Sequence, residues 1–126
     1  MFVKVLRNDM KHFDFQYKFG LNILEVELNT NSSIPVGPGG FYYCDIMKLG
    51  ANIYRGDFVC IVEIPEDAIV IKVNDGYGEY FRTNKIILTS KVFRYDNPEH
   101  VSELLSINKE VSPHLPENNV GFWELN

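Results

Sequence analysis

Apolar and polar positions alternate at the start of the chain, where residues 1–6 read Met-Phe-Val-Lys-Val-Leu. That period of two predicts a first strand. Residues 8–14 are mostly polar and read as a connection. Phe15-Gln16-Tyr17-Lys18-Phe19 is aromatic and strand-like, and Gly20 stops it. Over Leu21–Leu28, Leu24, Val26 and Leu28 share one parity, and Ile23, Glu25 and Glu27 share the other. A half-buried strand with the first set facing inward is predicted. Residues 29–40 collect Asn, Thr and Ser, then Pro35, Gly37, Pro38, Gly39 and Gly40, which is loop chemistry. Phe41–Cys44 follows as a short aromatic strand. Asp45 is placed to cap a helix, and Ile46, Leu49 and Ile53 recur at helical spacing. A helix over about 46–54 is predicted, ended by Gly56.

Phe58–Ile64 is apolar on both parities and rich in β-branched residues, the pattern of a central strand covered on both faces. Pro65-Glu66-Asp67 reads as a type I turn with Pro at its second position. A strand over 68–73 and a turn over 74–78 come next. Two short strand pieces, Tyr80–Arg82 and Lys85–Leu88, flank Thr83-Asn84, and Val92–Tyr95 forms a last strand. Asn97-Pro98 matches an N-cap followed by Pro at the first helical position. A short helix running to about Ile107 is predicted. The expected fold is α+β: a twisted, mostly antiparallel sheet with one or two short helices, as a single domain over 1–111. Residues 112–126 form a C-terminal tail whose Phe122-Trp123 pair docks on the body or meets a partner.

Length changes little, since 126 residues is one domain's worth of chain. A hydrophobic share of 45% with 13% aromatics is globular. No apolar run approaches the roughly 18 residues of a membrane span. The start is too short and too polar for a signal peptide, so the expected location is intracellular and not secretory. The net charge of −5, with Lys and Arg scattered singly, argues against a nucleic-acid partner. Cys44 and Cys60 lie in apolar stretches and read as buried, reduced thiols.

Candidate chemistry is sparse. His12, His100 and His114 lack metal-site spacing. The surroundings of Cys44 hold nothing that lowers a thiol pKa. Glu25 and Glu27 share a solvated strand face. The glycines at 37–40 have neither the Lys-Ser/Thr of a phosphate loop nor a dinucleotide fingerprint. No catalytic residue, metal ligand or cofactor site is assigned, and no enzyme is inferred. What remains is a surplus of aromatics, read either as core or as an apolar contact patch. Phe41, Tyr42, Tyr43, Phe122 and Trp123 are the candidate partner-binding residues.

Four segments carry a resemblance. They are Phe15-Gln16-Tyr17 with Gly20-Leu21-Asn22, Gly39-Gly40-Phe41-Tyr42-Tyr43, Ile64-Pro65-Glu66-Asp67-Ala68, and Lys85-Ile86-Ile87-Leu88. In this order, over about residues 12–90, they resemble the N-terminal region of mimivirus-type ankyrin-repeat and related uncharacterised giant-virus proteins. The resemblance implies a viral accessory protein acting in the infected host cytoplasm or in virions. It would bind or assemble with a host or viral protein, or with itself. A looser likeness points elsewhere. The Ile64–Ala68 stretch followed by Asn84-Lys85-Ile86-Ile87-Leu88 is similar to the C-terminal half of ADP-ribosyltransferase domains. Those domains place a catalytic Glu beside such an Asn. Lys85 stands there in this chain, and a cation cannot stabilise a cationic sugar transition state. That likeness implies a degenerate domain with a nucleotide or small-molecule pocket near Tyr43 and Glu79.

Overall fold

A computed structural model describes residues 1–34, 37–73 and 79–107. Seven strands form one antiparallel sheet in the order β4-β9-β6-β1-β5-β8-β7. In chain order they are β1 (Phe2–Leu6), β4 (Gly20–Ile23), β5 (Phe41–Asp45), β6 (Phe58–Glu63), β7 (Val70–Val73), β8 (Tyr80–Thr83) and β9 (Lys85–Arg94). A separate hairpin joins β2 (Lys11–His12) to β3 (Phe15–Gln16). One helix, α1 (Pro98–Ile107), follows the sheet. This is the expected single α+β domain.

The strand order conceals a closed circuit. Only Asn84 separates β8 from β9 in sequence, yet β6, β1 and β5 lie between them in the sheet. The sheet therefore curls until β9-β6-β1-β5-β8 returns to where it began, the geometry of a small barrel. Asn84 also holds the two outermost strands near this corner. Its carbonyl accepts from Leu24 N at 2.9 Å, and its side-chain oxygen accepts from Ile69 N at 2.8 Å.

A core lies on each side of the sheet. One side buries Leu6, Tyr17, Phe41, Phe58, Ile86 and Leu88. The other buries Val3, Tyr42, Val59 and Phe93 beneath Leu49, Ile53 and Leu104. This two-sided burial is why Phe58–Glu63 is apolar on both parities. Complete burial of a side chain such as Phe58 contributes about 2–3 kcal/mol. Cys44 and Cys60 are buried free thiols. Burial pushes them up to about 12 and about 11.

Several elements differ from the sequence reading, each for a local reason. β4 stops at Ile23, and Val26 is exposed. Its inward residue is the polar Asn22, whose side chain bonds Lys18 N, Lys18 O and Gly20 O and so needs no water. Residues 46–54 do not form one α-helix. Asp45 caps as expected by accepting from Met47 N, but two 3-10 turns follow, Ile46–Ala51 and Ile53–Arg55. Asn52 ends the first turn with its backbone N–H on Leu49 O, so the helix is cut short.

The turn after β6 places Pro65 at its first position, because Ala68 N bonds Pro65 O. The strand pieces at 85–88 and 92–95 are one ten-residue strand, β9, with a register irregularity opposite Cys60–Val62. Residues 8–14 include half of the β2–β3 hairpin. Its two-residue turn holds Phe13 (φ 49°) and Asp14 (φ 64°) in the left-handed region, without the Asn-Gly that advertises such a turn. The helix at Asn97-Pro98 is as expected, with Asn97 Oδ1 accepting from Glu99 N at 3.0 Å. The predicted turn at 74–78 and the tail with Phe122 and Trp123 lie outside the described residues.

A candidate cationic pocket where the sheet divides

The aromatic strand was the sequence's first candidate for partner contact. β5 runs between β1 and β8, and Phe41, Tyr42 and Tyr43 are all buried. Their expected exposure does not hold: β5 is covered on both faces, which puts Tyr42 in one core and Phe41 and Tyr43 in the other. Tyr43 stacks on Phe81 at 5.2 Å, and Phe41 lies 4.7 Å from the Phe15 ring. Tyr42 has a separate task. Its hydroxyl accepts from Gly37 N at 3.0 Å, donates to Gly37 O at 2.8 Å and accepts from Arg82 Nε at 3.0 Å. Arg82, fully buried, also donates to the carbonyls of Asn29, Asn31 and Ile34. Tyr42 and Arg82 thus tie down the 29–40 loop from inside.

The same strand creates an opening. β5 pairs with β8 through Phe41, Tyr42 and Tyr43, but with β1 only through Val3–Cys44 and Phe2–Asp45. β1 meanwhile stays paired with β6 over all five of its residues. Beyond Val3 and Cys44 the two central strands diverge, and a pocket occupies the wedge. Its cavity volume is about 40 Å³. Roughly 10–15 Å³ suffices for one water, so several waters or a compact group fit.

Lys4 projects into this wedge from β1. Its residue is only 3% exposed. The Nζ donates to the Tyr42 carbonyl at 2.7 Å and stands 4.6 Å from the Tyr17 ring centroid. No carboxylate lies within 4 Å of it among the described residues. A buried ammonium without a counter-charge costs several kcal/mol. Accordingly burial pulls the Lys4 pKa down from 10.5 to about 7, with Arg55 lowering it further and Cys44 and Cys60 opposing. Across the wedge Arg55 donates through Nε to Asn52 Oδ1 at 3.1 Å, with its guanidinium 5.5 Å from the Tyr80 ring. Lys11 and His12 come from the β2–β3 hairpin, and Arg7 from the end of β1. Burial lowers the His12 pKa to about 4, and the charges of Lys4, Arg55 and Arg7 add to the effect.

Sequence alone did not single out Lys4, Asn52 or Arg55, and His12 stood out only as a histidine without metal-site spacing. Only Lys4 left a signal, as a cation inside an apolar strand. His100 is a structural group, accepting from Arg94 N through Nδ1 at 3.0 Å. Glu79 stays outside the pocket and pairs with Lys48 at 3.6 Å, while Lys85 pairs with Asp67. Tyr43 does line the pocket, but its charged lining is cationic, opposite in sign to what stabilising a cationic sugar requires. Among the described residues no cluster of three metal-ligating side chains occurs, and no helix is long and apolar enough to cross a membrane.

Comparison with known proteins places the chain. No family model matches it, and no solved structure does. An ankyrin repeat protein of Acanthamoeba polyphaga mimivirus is 30% identical over 109 residues, 86% of this chain and 32% of that protein. A second ankyrin repeat protein of the same virus is 30% identical over 92 residues, 72% of this chain and 46% of its own length. An uncharacterized mimivirus protein is 29% identical over 96 residues, 76% of this chain and 70% of its own length. The chain thus spans less than half the length of the two ankyrin-named proteins. Over most of its own length it is related to mimivirus proteins, some named for ankyrin repeats and others uncharacterized.

Proposed function

We propose that this domain is a viral accessory module that binds or assembles with protein, in the infected host cytoplasm or the virion. The observation that carries the reading is the edge strand β4. Its outward parity is apolar: Phe19 just before it, then Leu21 and Ile23, are between 43% and 52% exposed. Among the described residues its outer edge has no strand neighbour. A short apolar edge of this kind is a template for strand addition. Exposed Glu25 and Glu27 follow directly, so the matching occupant is an extended partner segment with alternate apolar residues and a basic end. The names of two relatives also support a role in protein association, since ankyrin-type repeats build extended binding surfaces. Phe122-Trp123 is a proposed second contact.

The test is capture from infected-cell lysate at two salt concentrations, comparing the wild type with Ile23→Lys and Trp123→Ala. Ile23 is exposed, so the Lys variant keeps its melting temperature. A protein retained by the wild type and lost by Ile23→Lys supports strand addition. Equal retention by Ile23→Lys overturns it. Ultracentrifugation of the same proteins detects self-association. A dimer that Ile23→Lys dissociates assigns the edge to assembly of this chain with itself.

A further inference from the structure

We propose that the wedge between β1 and β5 binds a compact oxyanion, the phosphate or carboxylate group of a small molecule, with Lys4 and Arg55 as its charge partners. This site is separate from the β4 edge and stands or falls independently of it. Charge is the first argument. The chain carries a net −5, yet every charged group lining the wedge is cationic: Lys4, Arg7, Lys11 and Arg55, with His12 beside them. Convergence of one sign in a concave, low-dielectric site is the arrangement that attracts the opposite charge.

Burial is the second argument. Lys4 is held inside the protein on one backbone carbonyl and one aromatic face, with no carboxylate in reach among the described residues. A purely structural role would be served better by an apolar side chain of the same length. An oxyanion supplies the counter-charge the fold leaves out. Arg55 is suited to join it. Its guanidinium lies over the Tyr54 and Tyr80 rings, but among the described residues its one hydrogen bond is from Nε to Asn52 and it has no ion pair within 4 Å. Arg7 is already paired with Asp9 at 3.1 Å and contributes less.

Shape is the third argument. The β1–β5 ladder ends at Val3–Cys44, so the wedge separates two strands that no longer bond each other. Its cavity of about 40 Å³ suits one compact anionic group, with Tyr42, Tyr43 and Tyr80 as walls.

The test is titration of the full chain with inorganic phosphate and, separately, with acetate at constant ionic strength. Amide chemical shifts and calorimetry provide the readouts. Shifts clustered at residues 3–6, 42–44 and 52–55 are expected for at least one anion, and the stronger of the two identifies the oxyanion class. Lys4→Met and Arg55→Gln should each weaken binding by about tenfold or more, the value of a charge-assisted bond. Lys72→Gln, an exposed cation on β7 that does not line the wedge, should leave it unchanged. Arg55 lies on the rim, so its variant decides the matter even if Lys4→Met perturbs folding. The proposal is overturned if neither anion shifts these residues. It is also overturned if both pocket variants bind as the wild type does, or if Lys72→Gln weakens binding equally.

Discussion

Replacing Lys4 by Met isolates the energetic consequence of the buried amine. Methionine keeps the length and apolar stem but removes the charge. In the folded protein, burial brings the Lys4 pKa down to about 7, whereas in the unfolded chain it takes its ordinary value of 10.5. Between those two values the unfolded state binds more protons than the folded one. Stability therefore rises with pH across that window, by at most about 1.4 kcal/mol per pH unit. Below pH 7 the whole desolvation cost is present, on the order of 5 kcal/mol.

The other groups facing Lys4 are Cys44 on β5, Cys60 on β6, Arg55 of the second 3-10 turn and His12 on the hairpin. His12, lowered from 6.5 to about 4, acts below pH 6.5, where stability falls as pH falls. The thiols, raised from 9.0 to about 12 and about 11, act above pH 9, where stability falls as pH rises. The interval from pH 6.5 to 9 thus belongs to Lys4. Urea unfolding in phosphate-free buffer should show Lys4→Met more stable than the wild type at pH 6.5. The gap should narrow by roughly 2–3 kcal/mol at pH 9. A gap that stays constant across this range would refute the assignment of a desolvated amine to the wedge.

Two further substitutions probe how the rest of the fold is held. Gly40→Val should lower stability by roughly 2–4 kcal/mol, because a Cβ there would overlap Arg82 Cγ and Cδ and dislodge the guanidinium from Tyr42 and the loop carbonyls. An unaltered thermal melt refutes that account. Replacing Phe13-Asp14 by Asn-Gly should add about 1 kcal/mol in urea unfolding, since both positions have left-handed φ in a two-residue hairpin turn. A loss of stability would refute the idea that the turn is strained.

What the sequence discloses depends on how local the cause is. β1, β6 and the cap at Asn97 were legible because alternation, two-sided apolarity and an Asn-Pro pair act within a few residues. β4 was misread because its inward residue is Asn22, which satisfies itself through local bonds. The apolar residues beside it face outward. The continuity of β9 was hidden by polar Thr89, Ser90 and Lys91, which read as a break but lie within the strand. The pocket was invisible for a different reason. It exists because β5 changes neighbours partway along its length, and no property of Phe41–Asp45 alone records where β1 and β8 will lie.

The closed circuit of strands also bears on how the protein is made. β1 is synthesised before the strands it pairs with: Phe2 meets Asp45 on one side and Val62 on the other. β6 in turn needs β9, which ends at Arg94. Apart from the local β2–β3 hairpin, the early strands wait for distant chain, which places folding in the slow class of roughly milliseconds to seconds. Until β9 is synthesised, Val3, Val5 and Leu6 have no finished sheet to enter. β1 waits unpaired until β5 and β6 are made, and the strand that joins the ring last, β9, completes its cover through β6 and through Phe93 in the core shared with Val3.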